Sequence, residues 1–363
     1  MPLRDFTAVP YLPLIDVRPA VLLALDELPE KDKDLLLPMF KLRPWVGTES
    51  IEHVTTRLVR SYGTRPCFLE MGEPEFVDPE KARQVHLDLG KLRLSESGYQ
   101  NWVDFFERGE CKHFIPVVQL ADREESLAQA QSLGALGRGL AVRIDANRVD
   151  AGQFARFVAG ATDSGRDVVF VLDYGKQGSG YPTHRQVVKS QVERVLDECQ
   201  NTTAIAISAS SFPDGFTSIT KQEIFERSLF NKLREDFPGK VIYSDRGSAR
   251  AEALSGGGGL PAPRVDFAKS DEWVFYRQDK ESAMSPTLSY QRQAKLLMES
   301  TDWDPKLKLW GCQMIEKTAI ADETGIFSAN RCTAARINIH LHQQLCYGNP
   351  SALYDTDEDW TDL

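Results

Sequence analysis

The sequence predicts an α/β protein with a TIM-like (β/α)8 barrel at residues 1–250 and a mixed α/β appendage at the C-terminus. Eight short runs of apolar and β-branched residues alternate with segments of helical periodicity, and parallel strands need helical crossovers of this kind. Eight strand–helix units within about 250 residues match the size of such a barrel. The runs are almost continuously apolar, which is typical of a parallel sheet covered on both faces.

The predicted strands are, in order, YLPLIDVR (11–18), LLLPMFKLR (35–43), CFLEMGE (67–73), HFIPVVQL (113–120), GLAVRIDA (139–146), DVVFVLDY (167–174), TAIAISASS (203–211) and VIYSDRGS (241–248). Amphipathic segments such as ESIEHVTTRLVRSYG and HRQVVKSQVERVLDECQ lie between them, and several end at glycine, as helices often do. A doubly wound open sheet shows the same alternation, so periodicity alone leaves closure of the barrel open.

The last third of the chain departs from this pattern. A Gly- and Pro-rich segment at 255–264 predicts a linker, within which SGGGGL (255–260) is typical of a flexible lid. WVFYRQ (273–278) predicts a strand, and SPTLSYQRQAKLLMES and RCTAARINIHLHQQL predict helices. We therefore expect an appendage at 251–353 packed on the barrel. An acidic, solvated tail follows at 354–363, where Trp360 is a candidate contact for a partner.

The charge balance restricts the classes of partner. The chain has 43 Lys and Arg residues against 53 Asp and Glu residues, a formal net charge of −10, which argues against broad binding to nucleic acid or to an anionic membrane. No apolar stretch approaches the roughly 18 residues of a membrane-spanning helix, and the N-terminus lacks a signal-peptide pattern. Six scattered cysteines indicate free thiols. We expect a soluble, cytoplasmic protein.

Polar residues gather at the carboxyl ends of all eight predicted strands. Within a strand they occupy alternate positions, so we expect their side chains to share one side and, in a barrel, to meet at the C-terminal face where active sites of this fold lie. The set is Asp16, Arg18, Lys41, Arg43, Glu70, Gln119, Arg143, Asp145, Asp173, Ser208, Ser210 and Asp245. Its four cations and five carboxylates are nearly balanced, so a network of structural ion pairs is the alternative to a ligand site.

These residue types favour a small anionic or phosphorylated ligand. The candidates for binding the anion are Lys41, Arg43, Gln119, Arg143, Gly178 and Gly180. The catalytic candidates are Glu70, Asp145, Asp173 and Asp245. Their carboxylates suit Mg²⁺ or Mn²⁺, and two carboxylates facing each other would instead serve as acid and base, as in glycoside hydrolysis. A choice between these chemistries needs interatomic distances.

The two glycines belong to GKQGSG (175–180), which follows the sixth predicted strand and precedes a predicted helix. Backbone N–H groups of such a turn bind anions. The spacing matches neither the P-loop pattern nor G-x-G-x-x-G. A plain connecting loop is therefore the competing interpretation.

His340 and His342 in INIHLHQQL would share a face if this stretch were a strand. On the helix that we predict here they point apart. A metal site built from the two histidines is therefore disfavoured.

Several segments carry a resemblance to a known family. They are YLPLIDVRPAVLLALDEL, LLLPMFKLRP, YSDRGS, PAPRVDF, EWVFYRQ, LWGCQMI and ARINIHLH. Through them the chain resembles, over nearly its whole length, the "beta protein" family of bacteriophages and bacterial genomes. The matching residues include Asp245, Trp273, Arg277 and His342. The departures are Asp16, Val21 and Lys41, where the family tends to have Lys, Glu and Glu. The charges at 16 and 41 are thus exchanged, which favours an electrostatic or structural role for that pair.

The resemblance implies the fold and a phage or anti-phage defence setting, but no particular reaction. Two hypotheses of function follow. In the first, the barrel binds or acts on a small anionic ligand, and Asp173→Asn or Asp245→Asn should abolish this while the fold persists. In the second, the barrel is a non-catalytic scaffold whose C-terminal appendage or tail contacts a protein partner, so loss of residues 255–363 should abolish function.

Overall fold

A computed structural model describes residues 5–45, 47–75, 77–202, 204–216, 218–251, 262–277 and 285–356. The strands in these residues are β1 (Leu14–Asp16), β2 (Met39–Leu42), β3 (Cys67–Met71), β4 (Phe114–Pro116), β5 (Leu140–Asp145), β6 (Val168–Lys176), β7 (Ala204–Ser210), β8 (Lys221–Glu223), β9 (Val241–Ser244), β10 (Arg264–Ala268) and β11 (Glu272–Arg277). The α-helices are α1 (Pro19–Asp26), α2 (Glu30–Leu35), α3 (Ile51–Tyr62), α4 (Gln84–Leu92), α5 (Glu96–Glu107), α6 (Arg123–Ala135), α7 (Ala151–Ala161), α8 (Arg185–Glu198), α9 (Phe225–Leu233), α10 (Pro286–Met298), α11 (Trp310–Ala319), α12 (Ala329–Leu345) and α13 (Pro350–Tyr354).

Two parallel sheets form the centre of the fold. Their strand orders are β1-β2-β3-β4 and β5-β6-β7-β9. Each of the eight predicted runs coincides with one of these strands, although β6 continues two residues past its run, to Lys176. The prediction of an α/β protein with parallel strands and intervening helices is confirmed. A third sheet, antiparallel with order β10-β11-β8, packs nearby. Only β11 of this third sheet follows from the sequence pattern.

The two parallel sheets share one apolar interior. Each of their eight strands contributes a side chain to it, namely Leu14, Met39, Phe68, Ile115, Ala141, Val169, Ala204 and Ile242. Isolated parallel bridges pair Val117 with Ala141 and Tyr11 with Tyr243, where one sheet adjoins the other. Side chains of the opposite parity join the larger core that the strands form with the helices. The strands are therefore apolar on both faces because both faces are covered.

The helix α12 ties the end of the chain to its beginning. It packs against α1, α11 and β10, and Asn338 on α12 donates hydrogen bonds to Ala24 O and Glu27 O at 3.2 and 2.9 Å. Gly311 lets α11 approach closely, because a Cβ there would lie 2.5 Å from Ala335 O. The prediction of a helix in RCTAARINIHLHQQL is confirmed by α12.

All six cysteines are buried free thiols, as predicted. No helix in the described parts of the chain combines the length and the apolar character needed to cross a bilayer. The predicted lid at 255–260 and Trp360 lie outside the described residues.

Candidate functional site

Charged and polar side chains form a layer at the carboxyl ends of the parallel strands. In the first sheet, Asp16 is in register with Lys41, and Lys41 with Glu70. In the second sheet the corresponding row runs through Asp145, Asp173, Ser208 and Ser244. We call these residues, together with Arg43, Arg143 and Arg246, the strand-end layer. Parallel strands end at a common edge, so both rows lie just beyond the shared apolar interior.

Arg143 connects the two sheets within the strand-end layer. Its Nε donates to Glu70 Oε1 at 2.5 Å and its Nη1 donates to Asp173 Oδ2 at 2.6 Å. Burial alone would lower the pKa of Arg143, but Glu70 and Asp173 raise it. One guanidinium shared by two carboxylates is a structural ion-pair network. The nearly balanced charges of the strand ends predict such a network as the alternative to a ligand site.

Asp173 also accepts a hydrogen bond from Arg246 Nη2 at 2.5 Å. Burial alone would raise the pKa of Asp173, but Arg246 and Arg143 lower it overall. The carboxylate therefore stays ionised at neutral pH and is poorly suited to donate a proton. Its other oxygen, Oδ1, accepts from Gly175 N at 3.0 Å, where the backbone has a φ of +58°. The first glycine of GKQGSG thus serves the turn that holds Asp173.

Lys41 differs from the arginines of the strand-end layer. Arg43 lies 3.4 Å from Asp16 and 3.2 Å from Glu75, whereas no carboxylate oxygen in the described residues lies within 4.0 Å of Lys41 Nζ. Burial lowers the pKa of Lys41; Arg143 and Arg246 lower it further, while Glu70 and Asp16 oppose the shift. Lys41 is thus a half-buried amine that forms no ion pair with any residue the structure describes.

A cavity of about 540 Å³ opens beside the strand-end layer. Its lining includes seven cations, Arg18, Lys41, Arg43, Arg246, Arg250, Arg264 and Arg336, and two carboxylates, Asp16 and Glu70. We call it the arginine cavity. Such an excess of cations in a chain of net charge −10 makes the site a local positive region that attracts anions.

A second cavity, of about 610 Å³, adjoins the first and shares Arg246 with it. Its charged residues are more evenly divided between the two signs, and they include Glu73, Arg143, Asp145, Arg148 and Asp173. Asp145 lies here, 3.2 Å from Arg148 Nε. The second cavity therefore lacks the excess of positive charge.

Three arginines at the C-terminal side of the arginine cavity form what we call the arginine cluster: Arg250, Arg264 and Arg336. Arg264 Nε and Arg336 Nη1 donate to the two oxygens of Asp266, the second at 2.5 Å. The Arg336 side chain is 4% exposed and that of Asp266 is 0% exposed.

Arg250 has no carboxylate within ion-pair distance in the described residues, and it donates to Pro213 O and Asp214 O. Burial lowers the pKa of Arg250, and the nearby Arg264 lowers it further. In the described residues the three guanidinium groups thus have one carboxylate among them, Asp266, which pairs with Arg264 and Arg336 and not with Arg250.

The arginine cluster and Arg246 do not emerge from the sequence pattern of the strand ends. Arg246 carries a signal, since it continues the alternation of Ile242 and Ser244, which face the shared interior. Arg336 carries another, because it is a cation within a helix whose neighbours are apolar. Arg250 and Arg264 carry none, because only tertiary packing brings the segments that bear them to the cavity.

The structure corrects the predicted orientation of Asp245. Ile242 belongs to the apolar interior, and alternate residues of a strand face the same side, so Ser244 and Arg246 point inward while Asp245 faces the helices. Asp245 lines neither cavity. The prediction counted Asp245 with the wrong parity because the strand-end aspartate of SDRGS is followed by the cation that actually faces the site.

Asp245 instead anchors a buried hydrogen-bond network. It accepts from Tyr11, from Tyr243 at 3.0 Å and from Gly247 N at 2.7 Å, and His340 Nε2 lies 2.8 Å from it. Trp273 Nε1 lies 3.3 Å from His340 Nδ1 and can only donate, which leaves the histidine proton on Nε2. Both ring nitrogens are engaged within the protein. The network ties β9 to α12.

Other predicted residues also lie apart from the cavities. The Gln119 side chain donates to Leu92 O at 2.8 Å, and Ser210 donates to Ala249 O at 2.7 Å. Gly178 and Gly180 are exposed, with open space where a side chain would be. None of these four residues lines either cavity. Ser208 is buried, and within the described residues its hydroxyl has no hydrogen-bond partner.

The four carboxylates considered as metal ligands do not gather at one point. Glu70 and Asp173 bind Arg143, Asp145 binds Arg148, and Asp245 binds His340. Across the described ranges no three His, Cys, Asp or Glu side chains converge as a metal site would require. His340 and His342 point apart on α12, to Asp245 and Asp32 respectively.

Comparison with known proteins supplies the context for this geometry. A family model described as "Beta protein" matches residues 11–346. The chain is also 26% identical over 368 residues to "Protein beta" of Enterobacteria phage P4, a match that covers 97% of each chain. The family match spans most of the sequence, including the strand-end layer and the arginine cluster. This chain belongs to the Beta protein family.

Proposed function

We propose that this chain binds a small anionic or phosphorylated molecule in the arginine cavity. The observation that carries the proposal is the arginine cluster. Arg264 and Arg336 share Asp266, and no carboxylate among the described residues pairs with Arg250. Arg336 is buried, and Arg250 and Arg264 are half-buried. Charges withdrawn from water are normally compensated, because removing an ion from water costs free energy. An anionic ligand supplies the missing negative charge.

The cluster also has unused hydrogen-bond donors. Arg264 uses only its Nε, and Arg336 uses Nε for Ser248 and Nη1 for Asp266. The remaining Nη groups of both residues make no hydrogen bond within the described residues. Planar guanidinium groups with two free N–H donors bind phosphate and carboxylate oxygens in a bidentate manner. The ligand is therefore expected to place a phosphate or carboxylate between these arginines.

We further infer that the two parallel sheets close into a (β/α)8 barrel. Eight strands point side chains into one interior, and parallel bridges occur at both places where the sheets adjoin. Backbone hydrogen bonds accompany them: Val118 N donates to Ala141 O, and Leu12 N donates to Tyr243 O, each at 2.9 Å. In a closed barrel the strand-end layer lies at the face where ligands of this fold bind.

Two of the predicted catalytic carboxylates take positioning roles in this proposal. Glu70, which lines the arginine cavity, and Asp173, which lines the second cavity, hold Arg143 between the sheets. Lys41 and Arg43 remain candidates to contact the ligand, since both line the arginine cavity. Gly178, Gly180 and Gln119 have no part in it.

The family match also supports a proposal about the biological origin of the protein. The likeness to a protein of phage P4 favours a bacteriophage or prophage origin. A role in phage–host conflict and a cytoplasmic location extend the proposal, and they rest on that origin alone.

A non-catalytic interaction protein is the second candidate. One observation favours it: in the described part of the C-terminal region, large apolar side chains are exposed, among them Leu288, Leu296, Ile320 and Phe327. If this surface meets a protein partner, Leu296→Glu with Phe327→Glu should abolish co-purification of that partner and leave anion binding unchanged.

Calorimetric titration with inorganic phosphate, pyrophosphate and sugar phosphates tests the first proposal. Arg250→Gln is the most informative variant, because the substitution leaves no buried carboxylate unpaired. We expect it to weaken binding by about tenfold or more, which corresponds to about 1.4 kcal/mol. Arg156→Gln, which removes an arginine of the exposed pair with Glu198, is the matched control. Equal affinity in both variants would refute the assignment to the arginine cluster.

A further inference from the structure

We propose that Lys41 is a reactive amine that forms an imine with a small oxo compound, whose anionic group the arginine cluster holds. The anionic half of this inference rests on the proposed function above. The amine half rests on the position of Lys41 and on the charged groups around it. Together they narrow the ligand class to a carbonyl compound that carries a phosphate or a carboxylate.

Lys41 lies where its amine can reach a ligand bound in the arginine cavity. It is inward-facing on β2, at the wall of the arginine cavity, with Asp16 and Glu70 in register on either side. Both carboxylates have other partners, since Asp16 pairs with Arg18 and Arg43 and Glu70 pairs with Arg143. Among the cations of the strand-end layer, as far as the described residues extend, the Lys41 amine alone has no ion-pair partner.

The surroundings also favour the neutral amine, which is the nucleophilic form. The charged groups that act on it are Glu70, Arg143, Arg246 and Asp16, and burial adds to their effect. Burial and the two arginines outweigh the two carboxylates, so the pKa of Lys41 is lowered. Lysines that act as Schiff-base nucleophiles are activated by desolvation and by neighbouring cations.

The reaction needs no redox partner. The lone pair of the neutral amine attacks the carbonyl carbon, a C–N bond forms, and the carbonyl oxygen takes a proton from the nitrogen. The oxygen then takes a second proton from solvent and leaves as water, and a protonated imine remains. Arg246 and the arginine cluster line the same cavity of about 540 Å³, a size within the range of small-molecule sites.

The test uses the full chain with pyridoxal 5′-phosphate as probe, followed by sodium borohydride, which reduces the imine to a stable amine. Peptide mass spectrometry then measures labelling at each lysine. We expect Lys41 to be labelled at least about tenfold more than any other lysine. Lys41→Arg should remove the labelling at position 41 and leave the thermal unfolding temperature of the protein unchanged.

Pyridoxal, which lacks the phosphate, tests the reactivity of the Lys41 amine separately from binding at the anion site. Preference of Lys41 for the phosphorylated probe, lost in Arg250→Gln, supports both halves. Fast labelling of Lys41 by both aldehydes alike supports the reactive amine and contradicts the anion site. Labelling of Lys41 no faster than that of exposed lysines by either aldehyde overturns the reactive amine, even where calorimetry detects phosphate binding.

Discussion

His342 Nδ1 on α12 lies 2.6 Å from Asp32 Oδ2 on α2, and neither side chain is more than 4% exposed. The other ring nitrogen, Nε2, lies 3.0 Å from Leu353 O. Burial alone would lower the pKa of His342, but Asp32 and Cys346 raise it to about 10. His342 is therefore a cation at neutral pH that donates from both nitrogens.

Stability should fall as the pH rises because of this pair. The folded pKa of about 10 lies above the ordinary value of 6.5, so the folded state binds more protons between these values. The contribution of His342 is complete below about pH 6.5 and lost as the pH passes 10. His342→Gln should cost about 3–5 kcal/mol at pH 6.5. Urea unfolding at pH 6.5 and 9.5 should show that the difference from the unsubstituted protein shrinks at the higher pH; a constant difference would contradict the assignment.

Glu226 on α9 should give a second pH effect. It accepts from Ser211 N and is fully buried, and burial raises its pKa to about 8. The folded pKa exceeds the ordinary 4.5, so its contribution is complete below pH 4.5 and lost as the pH rises through 8. Glu226→Gln, which keeps the shape of the protonated acid, should abolish this part of the decline. Denaturant titrations from pH 5 to 9 measure it, and parallel curves for both proteins would disprove the buried acid.

Arg143→Met should destabilise the fold because Glu70 and Asp173 would lose their shared partner. Breaking a buried ion pair on one side costs about 3–5 kcal/mol. Glu70 would be left without an ion-pair partner among the described residues, whereas Asp173 keeps Arg246. Arg148→Met is the control, because its pair with Asp145 is exposed, and a change under about 1 kcal/mol is expected. Similar losses in both variants would argue against a central role for Arg143.

Asp245→Asn should act on stability and leave the site unaffected. The substitution weakens charge-assisted hydrogen bonds to Tyr11, Tyr243 and His340, each worth about 1.5–3 kcal/mol. Phosphate affinity of the folded fraction should be unchanged, because Asp245 lines neither cavity. Loss of affinity at unchanged stability would restore Asp245 to the catalytic candidates.

The eight parallel strands were predictable from sequence because burial on both faces makes each one a nearly continuous apolar run. The polar strand ends followed from alternation for Asp16, Lys41, Glu70, Arg143 and Asp173. Alternation failed at Asp245, where two adjacent charged residues end the strand and only register decides which faces inward.

The arginine cluster could not be predicted from periodicity along the sequence. Arg250, Arg264 and Arg336 are far apart along the chain and belong to a loop, an antiparallel strand and a helix. No local period connects them. Their meeting depends on how α12 packs against α1 and β10, which composition and spacing leave undetermined.

The residues that line the arginine cavity are spread from the beginning of the chain to near its end, so the ribosome makes them at different times. Lys41 and Glu70 emerge early, whereas Arg336 emerges near the end and reaches the cavity only after α12 has docked. A nascent chain that stops before residue 336 has every parallel strand but lacks part of the proposed anion site. Under the proposed function, a ligand is therefore captured only late in translation, after most of the chain has been made.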